Sequence, residues 1–239
     1  DGLESRGLGD VYKRQGYFLV ASGTNSVLQF DSEGRELTVF KSEITPSRKI
    51  DVWASQGRLF FGFASPTQFE MFEVAQNKQL RSFEIPANSQ PIKTPNQLFH
   101  YGIVDGQFCQ IDQKGTQTNF EKYAEGRLLP VDSKSKNPTL IVRSRNTLHF
   151  INQKGIEFGK LRMPFNEIEG VSYFNLNSGK TVVSILDGLE NNVYLYNMAG
   201  TKLTDRSLEG KTKVNVSSAG NSLMITTVVD DYVIQYFEN

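Results

Sequence analysis

A four-residue pattern, Asn197-Met198-Ala199-Gly200, constrains this chain more than any other feature, because it recurs. The same Asp/Asn-x-x-Gly spacing stands at Asp31 and Gly34, at Asp112 and Gly115, and at Asn152 and Gly155. An Asx side chain at the first position of a turn accepts a bond from the backbone N–H two residues on. Glycine at the fourth position takes the left-handed conformation that a type I turn followed by a bulge requires. An apolar run precedes each turn, at 27–30, 108–111, 148–151 and 193–196, and a second β-prone run follows it. These are hairpins.

The spacing of the turns predicts the architecture. Asp112 and Asn152 are 40 residues apart, Asn152 and Asn197 are 45 apart, and Asp31 and Asp112 are 81 apart, about two periods. A degenerate copy is therefore expected near position 72, and residues 69–74 followed by Ala75-Gln76-Asn77-Lys78 supply it, with Asn77 standing in for glycine. A last copy lies at 233–236, 40 residues after 193–196. A repeat of about 40 to 45 residues with room for four short strands is a propeller blade. The expected fold is all-β: a β-propeller of four-stranded antiparallel blades, about five to six of them.

The strands expected at 18–21, 27–30 and 37–40 form a first blade that lacks its innermost strand. Full blades span about 50–85, 92–123, 128–161 and 171–208. A last blade holds strands at 214–216, 223–227 and 232–237. Proline falls at strand ends or in connections, as at Pro46, Pro86 and Pro91. No helix is expected beyond a single turn near 165–169. The expected ring is truncated at its N-terminal side and incompletely closed, which leaves the strand at 232–237 with an unpaired edge. The strands at 140–142 and 193–196 are apolar on both faces, whereas 202–208 is largely polar. Sheets stacked between other sheets lose the two-residue alternation in their inner strands.

Residues 1–15 are set apart from residues 16–239, the expected propeller domain. Asp10-Val11-Tyr12-Lys13-Arg14-Gln15 resembles the in-frame translation of a sequencing adaptor, and such a scar is excluded from fold reasoning. The upstream part of the same protein is then missing.

Composition limits the function classes. The 239 residues are 38% apolar and 22% charged, with formal net charge zero, which argues against a nucleic-acid-binding surface. No apolar run approaches the ~18 residues of a membrane span. The single Cys109 rules out an internal disulfide.

Residues 182–203 and 223–237, the hairpins of the last two blades, resemble the closing blades of a bacterial envelope protein family of unknown function. That family carries a C-terminal quinoprotein-like (PQQ-like, WD-like) propeller. The resemblance is strongest over 127–239 and implies an extracytoplasmic scaffold or interaction surface.

Candidate chemistry is sparse. Quinoprotein enzymes carry tryptophan on most blades, and here Trp53 is alone and reads as a packing residue. His100 and His149 lie within strands and read as core residues, too few for a histidine-rich metal site. Cys109 reads as a small buried hydrophobe. Glu190, Asp230 and Asp231 read as solvated turn residues. The Asp-x-x-Gly turns lack the alternating acidic residues of calcium loops. The short basic pieces Lys134-Ser135-Lys136 and Lys211-Thr212-Lys213 are no nucleic-acid signature. No residue is assigned to catalysis, a cofactor or a metal. The expected function is a non-catalytic propeller scaffold that meets another protein or an envelope component. The alternative is a propeller enzyme or small-ligand binder, quinoprotein-like or glycan-active, working at the central channel.

Overall fold

The computed structural model describes residues 18–22, 25–76, 78–94, 97–129, 139–163, 168–176, 179–211, 214–220 and 222–238. Among them every regular element is a β-strand. The 22 strands form six antiparallel sheets, each a meander of strands consecutive in the chain. The first holds β1 (Phe18–Ser22), β2 (Ser26–Phe30) and β3 (Glu36–Lys41). The second holds β4 (Asp51–Ser55), β5 (Arg58–Ala64), β6 (Gln68–Glu73) and β7 (Lys78–Glu84). The third holds β8 (Gln90–Lys93), β9 (Leu98–Val104), β10 (Gln107–Ile111) and β11 (Gln117–Lys122). The fourth holds β12 (Arg127–Leu128), β13 (Leu140–Ser144), β14 (Thr147–Ile151) and β15 (Glu157–Arg162). The fifth holds β16 (Gly170–Asn175), β17 (Thr181–Asp187), β18 (Asn192–Tyr196) and β19 (Leu208–Glu209). The sixth holds β20 (Asn215–Ala219), β21 (Ser222–Val229) and β22 (Tyr232–Glu238). The one turn of helix considered near 165–169 and the Asn77 turn position fall outside the described residues in whole or part, as do residues 1–15.

The recurring turns have the expected chemistry. Asp31 Oδ1 accepts from the N–H groups of Glu33 and Arg35, each at 2.9 Å. Asp112 accepts from Lys114 and Thr116, Asn152 from Lys154 and Ile156, and Asn197 from Ala199 and Thr201, at 2.8–3.1 Å. Gly34, Gly115, Gly155 and Gly200 have φ of 80°, 82°, 76° and 84°. A bulge follows the turn. Gln29 pairs with Thr38 but Phe30 with Glu36, so Leu37 is the extra residue, and Phe158 is its counterpart in the fourth sheet. One carboxylate or amide oxygen thus ties two N–H groups, and the bulge gives the fourth strand its twist.

The turns at Asp112, Asn152 and Asn197 join the third and fourth strands of the third, fourth and fifth sheets. In the first sheet the same turn joins β2 and β3, so β1, β2 and β3 occupy positions two, three and four. In the sixth sheet β20, β21 and β22 occupy positions one, two and three.

The chain divides into two compact units, 1–120 and 121–239, with the division inside β11. In the first unit, Leu19, Val27 and Phe40 of the first sheet pack on Phe61, Phe63 and Phe72 of the second. Phe40 meets Phe61 edge-on at 4.9 Å, and Phe61 stacks on Phe72 at 5.2 Å. The other face of the second sheet places Trp53, Phe60 and Phe69 against Leu98 of the third. In the second unit, Val183 and Ile185 of β17 pack on the fourth sheet, while Val182 and Leu186 pack toward the sixth. Alternation therefore persists in β17 although both faces are dry. Each large apolar side chain so buried contributes roughly 1.5–3 kcal/mol.

Two glycine substitutions test the turn geometry. A Cβ on Gly34 meets nothing within 4 Å, while one on Gly115 comes to 3.0 Å from Phe83 Cβ. Gly34→Ala should cost about 1–2 kcal/mol from left-handed strain alone. Gly115→Ala should cost more. Urea unfolding of both variants checks this: negligible losses would contradict the turn assignment, and equal losses would show that Phe83 gives way to the added Cβ.

Candidate functional site

A buried polar cluster lies between the second and third sheets. It is built from the two connections that lead into their first strands. The connection after β3 is pinned at both ends. Ser42 Oγ donates to Glu70 Oε2 at 2.6 Å, and the Ser47 N–H donates to the Ala64 carbonyl at 2.8 Å. This sets Arg48 over the sheet. Its Nη1 donates to the Ser89 carbonyl at 2.7 Å, in the connection before β8. Its Nη2 lies 3.3 Å from Asp51 Oδ2 and 3.1 Å from His100 Nδ1. Lys93, at the end of β8, approaches Asp51 Oδ1 at 3.9 Å.

The protonation states follow from this geometry. A guanidinium has only donors, so His100 Nδ1 must accept and the ring proton sits on Nε2. His100 is fully buried, with its ring centroid 4.4 Å from that of Phe69. Burial, then the Arg48 charge, pushes its pKa down to about 3, so the ring is neutral. Burial raises the Asp51 carboxyl against the pull of Arg48 and Lys93, and burial lowers Arg48. Desolvation therefore outweighs attraction for both partners of this pair. Arg48 Nε, Ser89 Oγ and His100 Nε2 are buried with no hydrogen-bond partner among the described residues. The cluster offers unused hydrogen-bonding atoms, but among the described residues no carboxylate is hydrogen-bonded to the histidine to make it a base.

A second group lies in the other unit. His149 Nδ1 is 2.8 Å from Glu157 Oε2, and the Tyr123 hydroxyl donates to the same oxygen at 3.4 Å. The rings of Tyr123 and His149 are 4.7 Å apart. Burial first, then the Glu157 charge, pushes the tyrosine hydroxyl up, which makes it a poor nucleophile. The bulge of the β14–β15 hairpin sets Glu157 opposite Ile151 and brings it to His149.

Trp53 is buried, stacks on Phe60 at 5.6 Å and donates to Gln113 Oε1 at 3.2 Å. Cys109 is fully buried, and burial raises its thiol pKa. Glu190 accepts from Asn192 Nδ2, and Asp230 pairs with Lys211 at 2.6 Å; Glu190, Asp230 and Asp231 are all exposed. Residues 134–136 and 212–213 lie outside the described residues. His100 and His149, expected as plain core residues, are each held by an ionisable neighbour. The Arg48-x-x-Asp51 spacing before a strand was the available sign of the first cluster. His149 and Glu157, flanking the Asn152 turn, were the sign of the second. Among the described residues, no three His, Cys, Asp or Glu gather in a group that could hold a metal, and no helix is long and apolar enough to cross a membrane.

The chain is similar over 93% of its length, at 12% identity and a TM-score of 0.50, to virginiamycin B lyase from Staphylococcus aureus, covering 81% of that chain. It is also similar to BBS1N solved in complex with ARL6DN, at 12% identity and a TM-score of 0.52, covering 92% of this chain and 74% of that one. Hsv2 from Kluyvelomyces marxianus gives 12% identity and a TM-score of 0.53, covering 90% and 73%. The fold is a β-propeller. At such identity the likeness carries the fold alone. No protein-family model matches the chain, and no curated protein matches it.

The six sheets are thus blades, and the buried cluster links the second blade to the third. His100 supplies a pH test. A folded pKa lowered from 6.5 to about 3 stabilises the fold above 6.5, and that contribution is lost as pH falls toward 3. The loss approaches about 1.4 kcal/mol per pH unit. Asp51, raised in the fold, runs the other way, its contribution present at low pH and lost as pH rises. His100→Gln keeps an acceptor for Arg48 and removes the histidine titration. Its stability relative to the parent should therefore rise between pH 7 and 4.5 in urea unfolding. Parallel curves would show that His100 does not stay neutral.

Proposed function

We propose that the chain is a non-catalytic propeller module that presents exposed strand surface to another protein or to a component of the bacterial envelope. The observation that carries this reading is β22. Tyr232, Val233 and Phe237 are exposed on a strand that has one neighbour in its sheet among the described residues. Val233 and Phe237 share one face of the strand and Tyr232 the other, and exposed apolar and aromatic side chains of this kind are what protein interfaces bury. Two further points support it. Arg48 and Asp51 pair with each other, and the Tyr123 hydroxyl and the His149 ring both meet the Glu157 carboxylate. The envelope setting rests on the resemblance of residues 182–203 and 223–237.

A ligand-binding reading has one observation in its favour, the unpartnered buried atoms of Arg48, Ser89 and His100. Affinity capture from a bacterial envelope fraction separates the two. A variant combining Tyr232→Ser, Val233→Ser and Phe237→Ser should lose roughly tenfold or more of a specific partner. His100→Gln should retain it. Loss through His100→Gln with no effect of the β22 changes would favour a ligand site at the cluster.

A further inference from the structure

The third strand of every blade begins alike. Its second residue is Val27, Phe69, Phe108, Leu148, Val193 or Val233, on β2, β6, β10, β14, β18 and β22 respectively. The first five are completely buried, and Val233 is 66% exposed. Opposite four of these five the register places an apolar residue of the fourth strand. Val27 pairs with Phe40, Phe69 with Phe83, Leu148 with Leu161 and Val193 with Leu208. In the third blade the Phe120 ring lies 5.4 Å from that of Phe108. The fourth strands are otherwise mostly polar and exposed, and their anchors are always Phe or Leu.

Charge adds a second requirement. The residue after the anchor pairs with the first residue of the third strand and carries either charge: Lys41 faces Ser26 and Arg162 faces Thr147, while Glu84 faces Gln68 and Glu209 faces Asn192. On β22 that place faces Tyr232, next to exposed Asp231. Asp230 already pairs with Lys211. No other third strand is preceded by an acid: the equivalent residues are Asn25, Thr67, Gly106, Asn146 and Asn191. A cation at this place on an incoming strand would meet Asp231. Neither β22 nor the turn before it contains Lys or Arg, so a second copy paired through β22 would supply none.

We propose that the edge of β22, unpaired among the described residues, accepts a fourth antiparallel strand from a partner chain, about six residues long, with Phe or Leu opposite Val233 followed by Lys or Arg beside Asp231. This rests on the reading of β22 as an interaction surface and specifies the partner's chemistry. Recognition is by strand addition: backbone bonds supply general affinity, and the anchor and cation supply selection. The strand β3, Glu36–Lys41, already has the required pattern, ending in Phe40 and Lys41.

The test uses the whole chain and a synthetic peptide with the β3 sequence. The peptide should bind in fluorescence anisotropy and slow hydrogen exchange at the amides of β22. Replacing its phenylalanine by serine should weaken binding roughly tenfold. Asp231→Lys should weaken it about two- to fivefold and should favour a peptide whose last residue is glutamate instead. Asp231 is exposed, so this variant folds whether or not changes at Val233 are tolerated. Absence of β22 protection at millimolar peptide overturns the proposal. So does protection of β22 without peptide, accompanied by dimers at micromolar concentration. If the peptide fails while the β22 surface variant still loses its envelope partner, the strand proposal fails and the module reading stands. If the peptide binds and no partner depends on β22, the module reading fails and the acceptor edge stands.

Discussion

The structure depends on sheets that have no wet face. A sheet packed on both sides must send alternate residues to two different neighbours, so its register is set twice over. In β5, Phe61 and Phe63 go to one core, and Phe60 and Ala64 go to the other. A slip of one residue would exchange the two sets and spoil both cores together. The Asx turn with its bulge prevents the slip locally. It fixes where the fourth strand starts, and the bulge leaves Leu37 or Phe158 outside the ladder, both of them exposed. The exposed apolar residue at the bulge is the cost of a turn that sets register.

The hairpins were legible because their information is local. Asp31, Asp112, Asn152 and Asn197 each act within four residues, and the glycine that closes each turn has a backbone reason to be there. The blade count followed from their spacing. The buried cluster was not legible for the opposite reason. Arg48 reaches Ser89 across 41 residues and His100 across 52, and only the packing of two blades makes those distances short. A histidine within an apolar strand reads as core, and His100 is core, yet its environment is decided by an arginine from a connection that has no pattern of its own. His149 and Glu157 are eight apart across a turn that was recognised, so their contact could be found by counting the bulge.

The Arg48 cluster also shows why burial of charge is weak evidence for stability. Desolvation moves Asp51 up and Arg48 down, so the pair is worth less than its distance suggests. What it does supply is selectivity in packing. An apolar pair of sheets tolerates small shifts, whereas a guanidinium that must meet the Ser89 carbonyl, Asp51 and His100 Nδ1 at once tolerates few. The cluster ties the connection before β4, the second blade and the third blade at one place. Its unpartnered atoms fit a joint whose geometry is dictated by Arg48 rather than shaped around each neighbour.

The sixth blade isolates one cause of burial that the sequence does not carry. Val27, Val193 and Val233 are the same residue at the same position of equivalent strands. Two are completely buried and one is exposed, so residue type cannot be the reason. The two buried valines each face an apolar partner on a fourth strand, Phe40 or Leu208, and belong to a core shared with the neighbouring blade. Val233 has no such partner among the described residues. Burial at this position therefore belongs to the completed hairpin and the blade beside it, and a pattern of valines read along the chain cannot distinguish a core residue from half of an interface.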